Sequence, residues 1–239
     1  MARGPVYAMQ IPYEKRASKP SNHDDDPSRS PLESAESHLA TSAASGGASH
    51  GSSSSFSASF SAFVSWCQEN NLVRPESEFE FLRRTPDGLG DEHEAWFDED
   101  SNRWYKATYL NKFGLGWAKE GTATPGEYLT RLVLQNKYFG DDIQLIALVQ
   151  CGSCIRILTS QPHVAGDPAP YDEIKQWFCD LGFKYLENDG CIAWYLKSEN
   201  LLIADAHEGN VLRTEDGMLV PIDLNIIQPT GELFDWANE

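Results

Sequence analysis

Apolar positions along this chain change period several times, and each change predicts an element. Phe63-Val64-Ser65-Trp66, running into Gln68-Glu69-Asn70, predicts a short helix that buries an aromatic face. From Phe79 the pattern turns β-like, with a first strand near Glu80-Phe81-Leu82. Ala95-Trp96-Phe97 and Trp104-Tyr105-Lys106-Ala107-Thr108-Tyr109 flank the turn-rich Asp98-Glu99-Asp100-Ser101-Asn102, which predicts a hairpin. Thr124-Pro125-Gly126-Glu127 opens a helix: Thr caps, Pro takes the first position, and Glu stands three residues after the cap. Tyr128, Leu129, Leu132, Val133, Tyr138 and Phe139 then recur at helical spacing until Gly140. Ile143–Val149 and Ile155–Thr159 are β runs joined by a Cys-Gly-Ser-Cys turn, and Asp172–Leu181 is a second helix ended by Gly182. Short strands follow at Phe183–Leu186, Cys191–Leu196, Leu201–Ala204, Val211–Arg213 and Leu219–Ile222. This order is α+β, and it argues against alternating βαβ units of a Rossmann or P-loop fold. Neither glycine-rich nucleotide fingerprint of those folds is present.

Upstream the pattern fades. Between Ser42 and Ser61 the chain is almost only Ser, Ala and Gly, broken by Phe56 and Phe60, and before it lies the acidic run Asp24-Asp25-Asp26. Such composition buries too little apolar area to offset chain entropy, so residues 1–62 are expected to be a disordered tail. A plain linker is preferred to a tether or phosphoacceptor segment.

Charge sharpens the picture. The 239 residues carry 19 Lys and Arg against 36 Asp and Glu, a net charge of −17. Residues 63–239 hold 14 of the basic and 30 of the acidic side chains. A domain of that sign repels phosphate backbones and anionic lipids, so neither nucleic acid nor membrane is expected as a partner. No apolar run is long enough to span a bilayer, and the N-terminus has no apolar signal core. Five Cys, an odd number, are expected to be reduced thiols of a cytoplasmic protein.

Candidate chemistry lies in Asp205-Ala206-His207-Glu208-Gly209-Asn210-Val211-Leu212, followed by a hairpin that returns through Val220-Pro221-Ile222 to Asp223. An Asp and an Asn five apart, and a second Asp thirteen residues further, suit metal-assisted phosphoryl transfer. Asn210 and Asp223 offer hard oxygen ligands to Mg²⁺, which takes few protein ligands when phosphates supply the rest. Asp205 is placed to orient an acceptor hydroxyl and take its proton. Gly209 allows a tight turn before Asn210. His207 is either an organiser of this loop or an exposed turn residue.

The run D-A-H-E-G-N-V-L…V-P-I-D resembles the catalytic and metal-binding loops of the protein-kinase-like superfamily, in a D-x-H-x-x-N form close to the aminoglycoside-phosphotransferase branch. Together with P-G-E-Y-L-T-R-L, F-G-D-D, S-Q-P and the E-I…L-G-F helix, it resembles the kinase domain of phage and mobile-element polyvalent proteins over about residues 80–228. The resemblance implies a minimal two-lobed kinase-like fold over residues 63–239. Its N-lobe would span about 79–159, its hinge about 160–164 and its reduced C-lobe about 165–239. It implies ATP and Mg²⁺ as cofactors and a hydroxyl-bearing acceptor, most readily on a protein. The alternatives are a nucleotide-binding pseudokinase or scaffold, and a small-molecule kinase.

The resemblance also assigns upstream roles. Lys106 resembles the phosphate-binding lysine, its alternative being a solvated strand lysine. Glu127 is the nearest candidate to hold that lysine, although a capping box explains it equally. Gly88-Leu89-Gly90 sits where a phosphate-covering loop belongs, with an ordinary Pro-Asp-Gly turn as the competing reading. Thr159-Ser160-Gln161-Pro162 resembles the hinge that reads adenine, which makes Gln161 a nucleotide contact.

Departures limit the match. Ile203 stands where H-R-D kinases have His, and Leu224-Asn225 follows Asp223 in place of Phe-Gly. Only 16 residues follow Asp223, so an activation segment and a peptide-docking subdomain are not expected. Cys151-Gly152-Ser153-Cys154 has zinc-knuckle spacing without a second pair, and reads as a hairpin turn. Trp96, Trp104, Trp117, Trp177 and Trp194 show no pattern of basic interleaving, so they are expected in cores and not against bases.

Overall fold

A computed structural model describes residues 29–46, 53–114, 123–188 and 190–239. Residues 1–28 of the expected tail, and Trp117, lie outside these described residues.

The N-terminal half is a six-stranded sheet in the order β1-β5-β6-β4-β3-β2. Its strands are β1 (Val73–Pro75), β2 (Gly88–Leu89), β3 (His93–Asp98), β4 (Arg103–Thr108), β5 (Gln144–Cys151) and β6 (Cys154–Pro162). Local chemistry closes its hairpins. Asp98 accepts from the Ser101 N–H at 3.2 Å, and Asn102 takes the left-handed conformation at φ 52°. The β5–β6 turn pairs Cys151 with Cys154 across Gly152 at φ 63°. Only β1 joins in parallel, alongside β5.

Helix α3 (Pro125–Phe139) crosses one face of this sheet. Its start follows the predicted chemistry: Thr124 Oγ1 accepts from the Glu127 N–H at 3.2 Å, and the Glu127 carboxylate accepts from the Thr124 N–H at 2.7 Å. Its end is Gly140, left-handed at φ 67°.

Two helices lie where a tail without structure was expected. They are α1 (Pro31–Gly46) and α2 (Ser53–Glu69). Leu32, Ala35 and Leu39 of α1 and Phe63, Trp66 and Cys67 of α2 share one buried cluster with Phe113, Tyr128, Leu129, Leu132 and Leu148. Thr130 of α3 donates to Glu36 at 3.0 Å, and Ser59 accepts from the Gly126 N–H at 3.2 Å. The few apolar residues of this stretch fall at helical spacing, so they form one narrow seam that α3 and the sheet bury. Average composition conceals such a seam.

The opposite sheet face is covered by the short turns Glu76–Glu78 and Glu80–Arg83, not by the expected strand at 80–82. Phe79, Phe81 and Leu82 cap the Trp96, Ala107, Val149 and Leu158 side of the sheet. Three consecutive apolar or aromatic-flanked residues satisfied the strand pattern, but their backbone forms 3₁₀ turns.

The C-terminal half packs α4 (Tyr171–Asp180) on an antiparallel sheet ordered β13-β10-β9-β8. These strands are β8 (Lys184–Asn188), β9 (Cys191–Leu196), β10 (Leu201–Ala204) and β13 (Asn225–Ile227). Phe178 stacks on Trp194 with ring centroids 5.0 Å apart. Leu134, Tyr138 and Phe139 of α3 join this second core, so α3 belongs to both halves. A small sheet of β7 (Asp167–Pro168), β11 (Val211–Arg213) and β12 (Leu219–Pro221) lies beside it, and α5 (Gly231–Asn238) closes the far face with Ala237 and Trp236. Between the halves, Gly166 approaches β11 so closely that a Cβ there would lie 2.7 Å from the Arg213 carbonyl oxygen. Trp96 and Trp194 are fully buried; Trp104 and Trp177 are half-buried.

Candidate active site

The polar residues of interest come from both halves and meet at the inner face of α3. On β4, Lys106 and Thr108 alternate onto the α3 side, while Tyr105 and Ala107 face away. Lys106 Nζ lies 3.4 Å from Asp223 Oδ2 and 3.4 Å from the Ile222 carbonyl oxygen. A cavity at this point is lined by His93, Lys106, Tyr128, Gln135, Thr159 and Asp223, among others. Burial raises the pKa of Asp223, but the charge and hydrogen bond of Lys106, together with the His93 and Arg131 charges, outweigh it and hold the carboxyl at about 2.

The loop after β10 is built around Asp205, whose φ of 62° is left-handed and strained for a residue with a Cβ. Asn210 Nδ2 donates to the Asp205 carbonyl oxygen at 2.9 Å and to its carboxylate at 3.0 Å. His207 Nδ1 accepts from the Gly209 N–H at 2.9 Å, and its Nε2 lies 3.5 Å from Asp205 Oδ1. The tautomer is thereby fixed with the proton on Nε2, facing the carboxylate. A Cβ on Gly209 would lie 2.8 Å from the His207 ring, so glycine is required for this approach. Loss of solvent on its inner side, and the charge of Asp223, raise the Asp205 pKa; His207 opposes that rise. Glu208 reaches the start of α4, accepting from the Tyr171 N–H at 3.3 Å.

Pairing of β11 with β12 joins the two loops. Val211 is opposite Pro221, and the Ile222 N–H donates to the Asn210 carbonyl at 2.9 Å. Asp205, His207, Asn210, Asp223 and Lys106 are therefore brought to one place.

Of the other expected site residues, Gln161 lines the same cavity, while Glu127, Gly88 and Gly90 lie elsewhere. Glu127 uses its carboxylate in the capping box at the start of α3, and the contacts of Lys106 are with Asp223 and Ile222. The helix instead contributes Arg131, which binds Glu92 with two prongs, one of them Nη1–Oε1 at 2.7 Å. Gly88 pairs with Ala95 in the short β2–β3 hairpin, and Gly90 donates to the His93 carbonyl at 3.0 Å. Neither glycine has positive φ nor lines the cavity. Gln161 lies inside β6, 4% exposed, and its Nε2 donates to the Ile222 carbonyl at 2.9 Å. Its side chain thus faces the segment that carries Asp223, and the chain crosses between halves only after Pro162.

Sequence reasoning missed Glu92, His93, Tyr128, Arg131, Gln135 and Asp141. His93 Nε2 and Tyr128 Oη are 2.8 Å apart, and burial lowers the His93 pKa to about 4, so the ring is neutral near pH 7. Burial also raises the Asp141 carboxyl. The helical spacing of Tyr128, Arg131 and Gln135 was the available signal, since i, i+3 and i+7 share one face.

The donors present bear on whether the site could hold Mg²⁺. Among the described residues no group of three or more His, Cys, Asp or Glu side chains converges on a metal-sized site. An ionised Asp223 carboxylate and the Asn210 amide, whose NH₂ is committed to Asp205, leave hard oxygens. That set fits a Mg²⁺ shared with phosphates and not an all-protein cage.

A mixed sheet with one bridging helix, a short crossing and a smaller lobe bearing an Asp–Asn–Asp array is a two-lobed, kinase-like α+β protein. Over residues 60–228 the chain matches the model of a family described as the serine/threonine/tyrosine kinase found in polyvalent proteins, and it belongs to that family. No curated protein and no solved structure matches it. No helix of the described residues is long and apolar enough to cross a membrane.

Proposed function

We propose that the protein is an ATP- and Mg²⁺-dependent kinase that transfers the γ-phosphoryl group to a hydroxyl acceptor on a protein. The observation that carries this reading is the meeting of Lys106 and Asp223, 3.4 Å apart from opposite lobes, beside the Asp205–Asn210 pair. Lys106 binds the nucleotide phosphates. Asn210 Oδ1 and the Asp223 carboxylate hold Mg²⁺, which when bound offsets the charge of the phosphates. Asp205 accepts the proton of the acceptor hydroxyl, helped by its raised pKa. His207 orients Asp205 through Nε2–H. The family description supports a serine, threonine or tyrosine hydroxyl as acceptor.

Recognition of small-molecule acceptors is the second reading. It is favoured by the residues after Asp223, which enter β13 opposite Leu202–Ala204 at once and leave no loop for a peptide beside the site. The test is the shift of melting temperature with ATP. We expect a shift that requires Mg²⁺ and disappears in Asp223→Ala and Lys106→Ala; a shift unchanged in Asp223→Ala overturns the assignment.

A further inference from the structure

Two buried glutamines outside the expected array converge on consecutive main-chain carbonyls just before Asp223. Gln135, from α3, is 2% exposed and its Nε2 donates to the Pro221 carbonyl at 2.9 Å. Gln161, from β6, donates through Nε2 to the Ile222 carbonyl at 2.9 Å and to the Asp141 carboxylate. Lys106 reaches the same Ile222 carbonyl. From the other side, the β11 edge holds this segment by the Ile222 N–H bond to Asn210.

Burying an amide is costly unless its hydrogen bonds are worth more, and a leucine of similar volume would fill either place without that cost. The Gln135 side-chain oxygen is buried with no hydrogen-bond partner. Packing therefore does not account for this amide; its donor bond to Pro221 does. The Gln161 amide is oriented at its other end by Asp141, so the carboxylate acts on Ile222 through it.

We propose that Gln135 and Gln161, with Asp141 orienting the latter, are positioning residues that latch segment 221–223 to the N-lobe and fix the Asp223 carboxylate beside Lys106. The inference rests on the phosphotransfer reading, because it gives the latch its purpose: a metal ligand on a short strand end is held from both lobes. It also makes α3 and β6 sense the position of the metal-binding segment, since the same bonds tie the two lobes together.

The test uses the full chain and reads the Mg²⁺ concentration that half-saturates the ATP-dependent melting shift. Loss of one such donor in Gln135→Leu or Gln161→Leu is expected to raise that concentration about tenfold. Binding of ATP without metal should change far less. Asp141→Asn should raise it by a smaller factor, and by less in either leucine background than in wild type, because the carboxylate faces both the Gln161 and the Gln135 amides. Amide exchange in peptides covering 219–227 of the nucleotide-free protein should quicken, with 191–196 as protected as before. Variants that melt lower but keep the wild-type Mg²⁺ dependence show mere packing and overturn the proposal. If the leucine variants fail to fold, Asp141→Asn, on a half-exposed residue, decides it by the same readout. A wild-type protein with no Mg²⁺-dependent response to ATP overturns the phosphotransfer reading itself, and is seen before any variant is made. A wild-type response with unaltered variants overturns only the latch.

Discussion

Glu92, at the end of the β2–β3 turn, and Arg131, on the inner face of α3, form a two-pronged ion pair that is almost wholly buried. Arg131 also packs over the Tyr128 ring at 5.3 Å. Burial lowers the Arg131 pKa, but the hydrogen bonds and charge of Glu92 more than reverse it, so the pair is ionised. The helix thus carries the cation and the turn carries the anion.

Breaking that pair from one side leaves an uncompensated buried charge. Glu92→Gln and Arg131→Met are each expected to lose about 3–5 kcal/mol of unfolding free energy. The double variant Glu92→Leu/Arg131→Met should recover much of it. Urea denaturation of the four proteins checks this, and equal losses in single and double variants would show that the charge is not the cause.

His93 gives a pH dependence of defined sign. Its folded pKa of about 4 lies below the unfolded value of about 6.5, so between them the unfolded chain binds more protons. Its contribution is full above pH 6.5 and is lost as pH falls toward 4, by roughly 3 kcal/mol. Urea midpoints at pH 7, 5.5 and 4 should fall in the wild type and fall less in His93→Gln.

Seam residues of α1 test whether the N-terminal helices are part of the folded unit. Leu32 and Leu39 are 0% and 4% exposed, so Leu32→Ala and Leu39→Ala should each cost about 2–5 kcal/mol. Melting temperatures equal to wild type would place α1 outside the cooperative unit.

Gly209 sits against the His207 ring, and the Cβ of Gly209→Ala would displace it. The ring would lose its bond from the Gly209 N–H and its approach to Asp205. If Asp205 is the base of the proposed phosphotransfer, that activity should fall by about tenfold or more through loss of its orienting partner. The melting temperature should change little because the loop is exposed, and a variant with full activity would remove His207 from the mechanism.

Several features were legible without coordinates because their causes are local. The α3 start and stop lie in Thr124, Pro125, Glu127 and Gly140, each of which satisfies or ends a backbone hydrogen-bond pattern within a few residues. The β3–β4 and β5–β6 hairpins follow from alternation and turn chemistry in the same way. The Asp205, Asn210 and Asp223 array was visible because its spacing lies within one loop and one hairpin.

What tertiary structure alone decided are the pairings between distant elements. Whether Glu127 turns to Lys106 or back onto its own helix, and that Gln161 reaches the Ile222 carbonyl, depends on side chains brought together from opposite lobes. The same holds for Arg131 with Glu92 and for the seam of α1 on α3. Sequence determined where α3, α4 and the β3–β4 and β5–β6 hairpins form and where the acidic chemistry clusters, since short-range hydrogen bonds set those; α1, α2 and the turns at 76–83 took their form from packing. Packing determined which polar groups face each other, because a buried charge or amide is stable only beside the partner that the fold supplies.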